Sequence, residues 1–488
     1  MTRPAIERPA IERMAGIDAG FLYMETPSVH MHTLKIAVLE ADDALTYDAF
    51  VAGMLARLKR LPPLRRRVVE VPFGLNHPVW VTQPRIDVPH HIRRHRVGGD
   101  GTMRELEQLI GMIASTPLHR DRPLWELHYC EGLEGGRVAV VGKMHHALAD
   151  GAAANALLAN VTDVRSAATP EAVQEEYAST DRLPSRINLL RHAWADAAAQ
   201  ITSIPALLLR TLLGILGVVR ERRAGARSPV PVLHAPRVSF NGALTPLRSF
   251  ATVTLPLAEL KRVRAQHRAA GLEVTLNDIV LAITSGALRR WMAEHDERPA
   301  SSLLAGVPVS ADERDAVPRL GGNRVSNLFT TLATDVDDPV ERLRTIARTT
   351  ADAKRINAQL GSSILADWSQ FTPPRPFAAA VRAYSRLNAA SWHPAAFSAI
   401  VSNVPGPREP ATVGGARLAD LFSVGPLVDG IGLNVTVWSY VDRMNFSLLA
   451  CPDLLPDVHV LASYLPAALA ELDLEPPAAA PTLRRNPA

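Results

Sequence analysis

Residues 138–158 read VAVVGKMHHALADGAAANALL. An apolar run ends in two adjacent histidines, His145 and His146, then turns at Asp150 and Gly151 into an alanine-rich stretch. The first part has the continuous apolar character of a buried strand, and the second has the composition of a helix. Strand therefore passes to helix through a short turn that carries two imidazoles. Successive residues on a strand point to opposite faces. If the strand ends at this pair, one ring projects into any given cleft and the other is held behind it. That asymmetry disfavours both as ligands of one metal, and no HExxH or CxxC spacing accompanies them, so we expect no metal. Asp150 suits the cap of the following helix, because its carboxylate accepts backbone N–H bonds and complements the positive helix end. A histidine beside such a helix start is biased toward its neutral form, and a neutral imidazole acts as a base near pH 7.

On either side of this turn the chain reads as mixed α/β. Strands are expected over 33–40, 77–82, 87–97 and 123–133, with amphipathic helices over 45–61 and 103–115. Glu134, Gly135 and Gly136 make a turn between 123–133 and the histidine-bearing strand, which predicts an antiparallel pair. Between about 164 and 236 the composition shifts to Ala, Leu, Arg and Pro, as in a long connection. A second mixed region follows. It holds strands at 248–256, 303–310, 397–407, 432–443 and 444–453, a strong helix at 275–295, and a helix opening at Asp337-Asp338-Pro339. The expected organisation is an N-terminal lobe (1–163), a linker (164–236), a C-terminal lobe (237–475) and a disordered Pro/Ala-rich tail (476–488). Ligand sites favour clefts between two such lobes.

Composition narrows the function classes. A net charge of +4, from 53 Lys and Arg against 49 Asp and Glu, lacks the basic excess of a nucleic-acid binder. The basic runs at 57–67 and 91–96 suit phosphates or acidic headgroups, and equally a solvated face. Cys130 and Cys451 are isolated, which favours a reducing compartment over a disulfide framework. The N-terminal stretch repeats RPAIER and has no apolar core of a secretory signal. The segment SIPALLLRTLLGILGVVRERR (203–223) is interrupted by Arg210 and ends in a basic cluster. It falls short of about 20 uninterrupted apolar residues. It fits a helix lying in a membrane interface with its basic end at the headgroups, or one packed on another domain.

No GxSxG elbow, GxxxxGK[ST] loop or GxGxxG fingerprint is present. A lone histidine base between two lobes suits direct transfer. It would take a proton from a hydroxyl or amine that attacks an activated acyl group, and a thioester needs neither metal nor ATP at that step.

His145 to Gly151 spell HHxxxDG, which resembles the signature of the coenzyme A-dependent acyltransferase superfamily, including chloramphenicol acetyltransferase and peptide-synthetase condensation domains. Six further stretches are similar to the bacterial wax ester synthase/diacylglycerol acyltransferase family, most of all to its mycobacteria-like members. They are GIDAGFLYMETPSVHMH (16–32), PLHRDRPLWELHYCEGL (117–133), TLNDIVLAITSGALRR (275–290), GVPVS…GGNRVSNLF (306–329), SNVPGP (402–407) and DGIGLNVTVWSY (429–440). The resemblance implies an α/β fold of two chloramphenicol-acetyltransferase-like lobes around a central cleft or tunnel. It implies acyl-CoA as co-substrate with no bound cofactor, and diacylglycerol or a long-chain alcohol as acceptor. Triacylglycerol is the expected product, with wax esters as a second one. Attachment to the cytoplasmic side of the inner membrane or to lipid droplets is expected, and no nucleic acid. By the family pattern His146 is the general base, His145 supports it, Asp150 holds the loop, and Gly151 allows close approach. Pro123, Leu124 and Trp125 belong near the active-site mouth and acyl path. Asn277 and Asp278 start a helix apposed to the catalytic loop. Trp125 also suits core packing, and Asn277 suits either a helix cap or a donor to the oxyanion. His119 stands where the family often has Asp, so no role carries to that position. A condensation-type enzyme fed by a carrier protein, or a non-catalytic lipid binder of the same fold, are the competing classes.

Overall fold

Two six-stranded mixed sheets frame the molecule. The structure is a computed structural model and describes residues 11–58, 60–83, 86–161, 184–229, 235–312, 319–361 and 363–474. In the first sheet the order in space is Thr412–Val413, Ala416–Val424, His32–Leu39, Val138–His145, Trp125–Glu131 and Ile92–Arg96. Its centre is the expected antiparallel pair, in register from Trp125 opposite Met144 to Cys130 opposite Ala139. Gly135 and Gly136 in the connecting turn have φ of 70° and 72°, a conformation in which a side chain is strained.

The second sheet runs Val325–Thr331, Leu304–Ser310, Ala399–Val404, Leu433–Tyr440, Arg443–Ala450 and Ser249–Pro256. Ala399–Val404 pairs in parallel on both sides. Helix Leu276–Glu294 covers one face. Its Ile279, Val280 and Ile283 pack with Val435, Val437 and Phe446 of the sheet. Each such side chain contributes about 1.5–3 kcal/mol when removed from water.

Alternation along Val138–His145 decides which side each histidine serves. Val141 joins Leu34 and Ile36 under helix Met103–Ala114, through Leu106 and Ile110. Val140 points the other way, into a cluster that includes Trp438 and Tyr440 of the second sheet. Residues of even number on this strand thus face the other lobe. Helix Met103–Ala114 is fixed by a capping box between Thr102 and Glu105, a device worth about 1 kcal/mol.

The structure departs from several expectations. The C-terminal lobe drawn over 237–475 gives up residues 412–424 to the first sheet. There Ala416–Val424 lies antiparallel to His32–Leu39, from Leu418 opposite Leu39 to Val424 opposite Leu34. Residues 87–97 are not all strand. Val88–His91 forms a helical turn, with proline in its first turn, before the strand Ile92–Arg96. The helix read at 203–223 is the end of a longer one, Arg186–Arg223, capped by the Ser185 hydroxyl on the Asn188 N–H at 3.2 Å. Pro205 lies inside it. This helix occupies most of the described part of the 164–236 linker. The tail 476–488, residues 162–183 and most of the RPAIER repeat lie outside the described residues.

Candidate active site

The strand ends at His145, and its backbone N–H donates to Leu124 O at 2.9 Å. The side chain is fully buried on the helix-covered face. Its Nδ1 accepts the Ala147 N–H at 3.1 Å, which puts the ring proton on Nε2, 3.6 Å from Glu25 Oε1. Burial, then Arg120 and His146, hold its pKa well below the usual histidine value. His145 is thus a neutral strut. Burial also pushes the Glu25 carboxyl above its ordinary range, against the pull of Arg120.

His146 turns to the opposite side, toward the second lobe. Its N–H donates to Met31 O at 2.7 Å, and its half-buried ring stacks on Phe21, with centroids 4.2 Å apart. The decisive contact is with Asn323. The Asn323 NH2 group donates to His146 O at 2.7 Å and to Asp18 Oδ1 at 2.7 Å. Its amide oxygen therefore faces His146 Nδ1 at 2.9 Å, and an amide oxygen can only accept. Nδ1 carries the proton, and the lone pair sits on Nε2. Among the described residues no hydrogen bond engages Nε2. Burial lowers the His146 pKa; the Asp150 charge and the Asn323 bond oppose it. The neutral state expected from a helix start has burial as its first cause.

Asp150 caps helix Gly151–Val161, with Oδ1 accepting the Ala153 N–H at 3.0 Å. It does more than cap. Oδ2 accepts from the Arg319 guanidinium and from the Arg324 N–H at 2.8 Å. Arg319 also holds Asp312 Oδ1 at 3.0 Å and the Gly321 carbonyl at 3.2 Å. A short parallel bridge, Ala149 to Gly322, lies beside these contacts, with Gly322 N–H on Leu148 O at 2.7 Å. Gly322 has φ of 74°, which suits glycine. Asp150 and the 319–324 segment thus lock the histidine turn to the second half of the chain and deliver Asn323 to His146.

The remaining expected residues are placed as follows. Pro123, Leu124 and Trp125 are buried beside the histidine strand. Trp125 Nε1 donates to Leu64 O at 2.6 Å, and its ring stacks on His91 with centroids 4.4 Å apart. Asn277 does not cap its helix. Thr275 does, in a capping box with Asp278, whose Oδ2 accepts the Thr275 N–H at 2.8 Å. Threonine two residues upstream wins because its short hydroxyl reaches the N3 N–H. Among the described residues no hydrogen bond ties the half-buried Asn277 amide to the histidine turn. A Cβ at Gly151 would sit 3.5 Å from Val404 Cγ2, an ordinary contact, so glycine is not sterically required there. Val404 belongs to SNVPGP, which is strand up to that residue; Pro405 O then accepts the Asn155 amide at 3.2 Å. His119 is exposed and edge-on to His90. Burial pushes the Cys130 thiol up to about 12, which removes it as a nucleophile.

Three residues escaped the sequence reading. Asn323 and Asp18 hold the His146 side of the site. Lys35 lies on the same sheet face as His146, with Nζ 4.5 Å over the Trp438 ring and its pKa pushed down to about 7 by burial. Asn323 and Asp18 both lie in family-like stretches, GGNRVSNLF and GIDAGFLYMETPSVHMH, but nothing in those stretches singled out either side chain; the Gly321-Gly322 pair marks only a turn able to approach another backbone.

Comparison with known proteins places the chain in a family. Residues 14–280 match the wax ester synthase/diacylglycerol acyltransferase catalytic domain, and residues 321–473 match the C-terminal domain of the same family. The chain belongs to the wax ester synthase/diacylglycerol acyltransferase family. It is an acyltransferase of that class. A protein of Mycobacterium tuberculosis strain H37Rv, provisionally named a diacylglycerol O-acyltransferase, is 39% identical over 465 residues, covering 95% of this chain and 96% of its own. The solved wax ester synthase/diacylglycerol acyltransferase of Marinobacter aquaeolei VT8 superimposes with a TM-score of 0.65 at 25% identity, covering 94% of this chain and 98% of that one. The first condensation domain of the CDA synthetase shares the fold, with a TM-score of 0.55 at 16% identity over 97% of this chain and 98% of that one. The two-lobed α/β architecture expected from HHxxxDG is therefore the architecture of this family.

Proposed function

We propose that this acyltransferase passes a fatty acyl group from acyl-CoA directly to the hydroxyl of diacylglycerol, giving triacylglycerol, with long-chain alcohols as a second acceptor. The observation that carries this reading is the tautomer of His146. Nδ1 is committed to Asn323, which leaves the lone pair on Nε2. Nε2 takes the acceptor's proton as its oxygen bonds to the thioester carbon. The tetrahedral oxyanion collapses with cleavage of the carbon–sulfur bond, and the proton on His146 passes to the leaving CoA thiolate. General base catalysis of this kind contributes about 10²–10⁴-fold. The family assignment supports the substrate classes, and the mechanism rests on His146 alone.

The test is CoA release from palmitoyl- or oleoyl-CoA with diacylglycerol, hexadecanol or water, with products identified by mass spectrometry. Triacylglycerol as main product is expected. Turnover only with water, or only from an acyl-loaded carrier protein, would refute it.

The lipid acceptor calls for a membrane-facing surface, and helix Arg186–Arg223 suits that role. By length and composition it is apolar enough to cross a membrane. It packs along helix Pro339–Leu360, where a Cβ at Gly214 would meet Gln359 O at 3.3 Å, and its Arg210 pairs at 3.1 Å with Asp367 of the next helix, Ile364–Ser369. Leu208, Leu212, Ile215, Leu216 and Val219 are exposed, and the last turn holds Arg220, Arg222 and Arg223. An exposed apolar stripe ending in arginines fits peripheral attachment to an anionic leaflet or droplet surface.

A further inference from the structure

Asp18 is a buried carboxyl with no part in the mechanism above. It sits in helix Gly16–Met24 and is 4% exposed. The helix start is pinned, because a Cβ at Gly16 would lie 2.3 Å from Ser369 C. Burial raises the Asp18 pKa to about 7; Asn323 and Arg319 pull it down and Asp150 pushes it up. Its Oδ1 accepts from the Asn323 NH2 group at 2.7 Å, the same NH2 group donates to His146 O at 2.7 Å, and the amide oxygen accepts the hydrogen bond of His146 Nδ1 at 2.9 Å.

The amide has two orientations, and they are chemically opposite for His146. With oxygen toward the ring, Nδ1 must carry the proton and Nε2 is a base. With NH2 toward the ring, Nδ1 must accept, the proton moves to Nε2, and the base is lost. The geometry points to Asp18 as a positioning residue for acyl transfer: its carboxyl oxygen holds the Asn323 amide in the orientation that leaves the His146 lone pair facing the acceptor hydroxyl. The inference rests on the proposed role of His146. Three segments far apart in the chain, around residues 18, 146 and 323, meet to build this relay, and the flip of one amide sets the tautomer.

The test uses the full chain and CoA release, with far-UV circular dichroism and acyl-CoA binding as controls for folding. Asp18→Ala removes the acceptor, and kcat should fall about 10- to 100-fold with KM for acyl-CoA little changed. Asp18→Asn keeps a carbonyl acceptor and should recover kcat to within a few-fold of the parent. In the Asn323→Ala background Asp18→Ala should add no further loss, since both act through one amide. Asp18→Ser, whose hydroxyl is too short to reach Asn323, serves if the alanine variant does not fold, and the same fall is expected. Parental kcat in Asp18→Ala or Asp18→Ser, losses that multiply in the double variant, or no recovery with asparagine would each overturn the inference. If instead His146→Ala keeps its turnover, the fault lies with the proposed base and not with Asp18.

Discussion

At the scale of single residues, two neighbouring histidines differ because the strand turns them to opposite faces. His145 is sealed under a helix and accepts an N–H at Nδ1, whereas His146 keeps its proton on Nδ1 and donates it as a hydrogen bond to an amide oxygen. The sign of the pH dependence follows. The His146 pKa is below 6.5, so the proposed base stays neutral through the neutral range, and the acid limb of kcat/KM should fall below pH 6.5. The Asn323 bond favours the charged ring, so Asn323→Ala should move that limb further down while lowering kcat. Asp18 runs the other way. Its folded pKa is about 7 against 3.8 for a free aspartate, so between those values the folded state holds the extra proton and stability declines as pH rises. Asp18→Asn removes this penalty. Its Tm relative to the parent should therefore rise from pH 4 to pH 7, and a gap that is flat with pH would count against a buried, ionising Asp18. The strand-to-helix turn was legible because its apolar run and its Asp150 cap are local signals. Asn323 was not, since it reaches His146 from 177 residues away and an asparagine in a turn has many ordinary uses.

Among the elements, the 319–324 segment does for the site what no periodicity announces. Gly322 adopts φ of 74° so that the chain can bridge Ala149 and aim Asn323 at the ring. Gly322→Ala should cost about 1–2 kcal/mol from the left-handed backbone alone. Tm and kcat should fall together, because the same loop carries Arg319 to Asp150 and Asn323 to His146. Helix Arg186–Arg223 was read short because only its apolar end, 203–223, stands out by composition, and packing along Pro339–Leu360 accommodates Pro205 within it. Replacing Leu208, Leu212 and Leu216 by glutamate should abolish flotation with anionic vesicles and leave turnover of detergent-dispersed substrate intact. Unchanged flotation would remove the helix from the membrane contact.

For the whole molecule, the two sheets are not independent modules. Strand Ala416–Val424 comes from late in the chain and completes the sheet that carries the histidines, along the edge of His32–Leu39. The alternation of a strand shows which face is buried, not which sheet it joins, so a boundary drawn along the sequence misses the exchange. Asp150 and Arg319 add a mostly buried ion pair across the same divide. Expressed alone, residues 1–236 should aggregate or remain molten, since the apolar edge of His32–Leu39 would lie open. Co-expression with 237–488 should restore soluble, active protein. A cooperatively folded, soluble 1–236 fragment would contradict this interdependence.

The most direct measurement is turnover of purified His146→Ala with palmitoyl-CoA and diacylglycerol, beside circular dichroism and Tm. Triacylglycerol formation should vanish in a protein that folds and melts like the parent. Parental rates from that folded variant would show that the lone pair at Nε2 is not what drives the transfer.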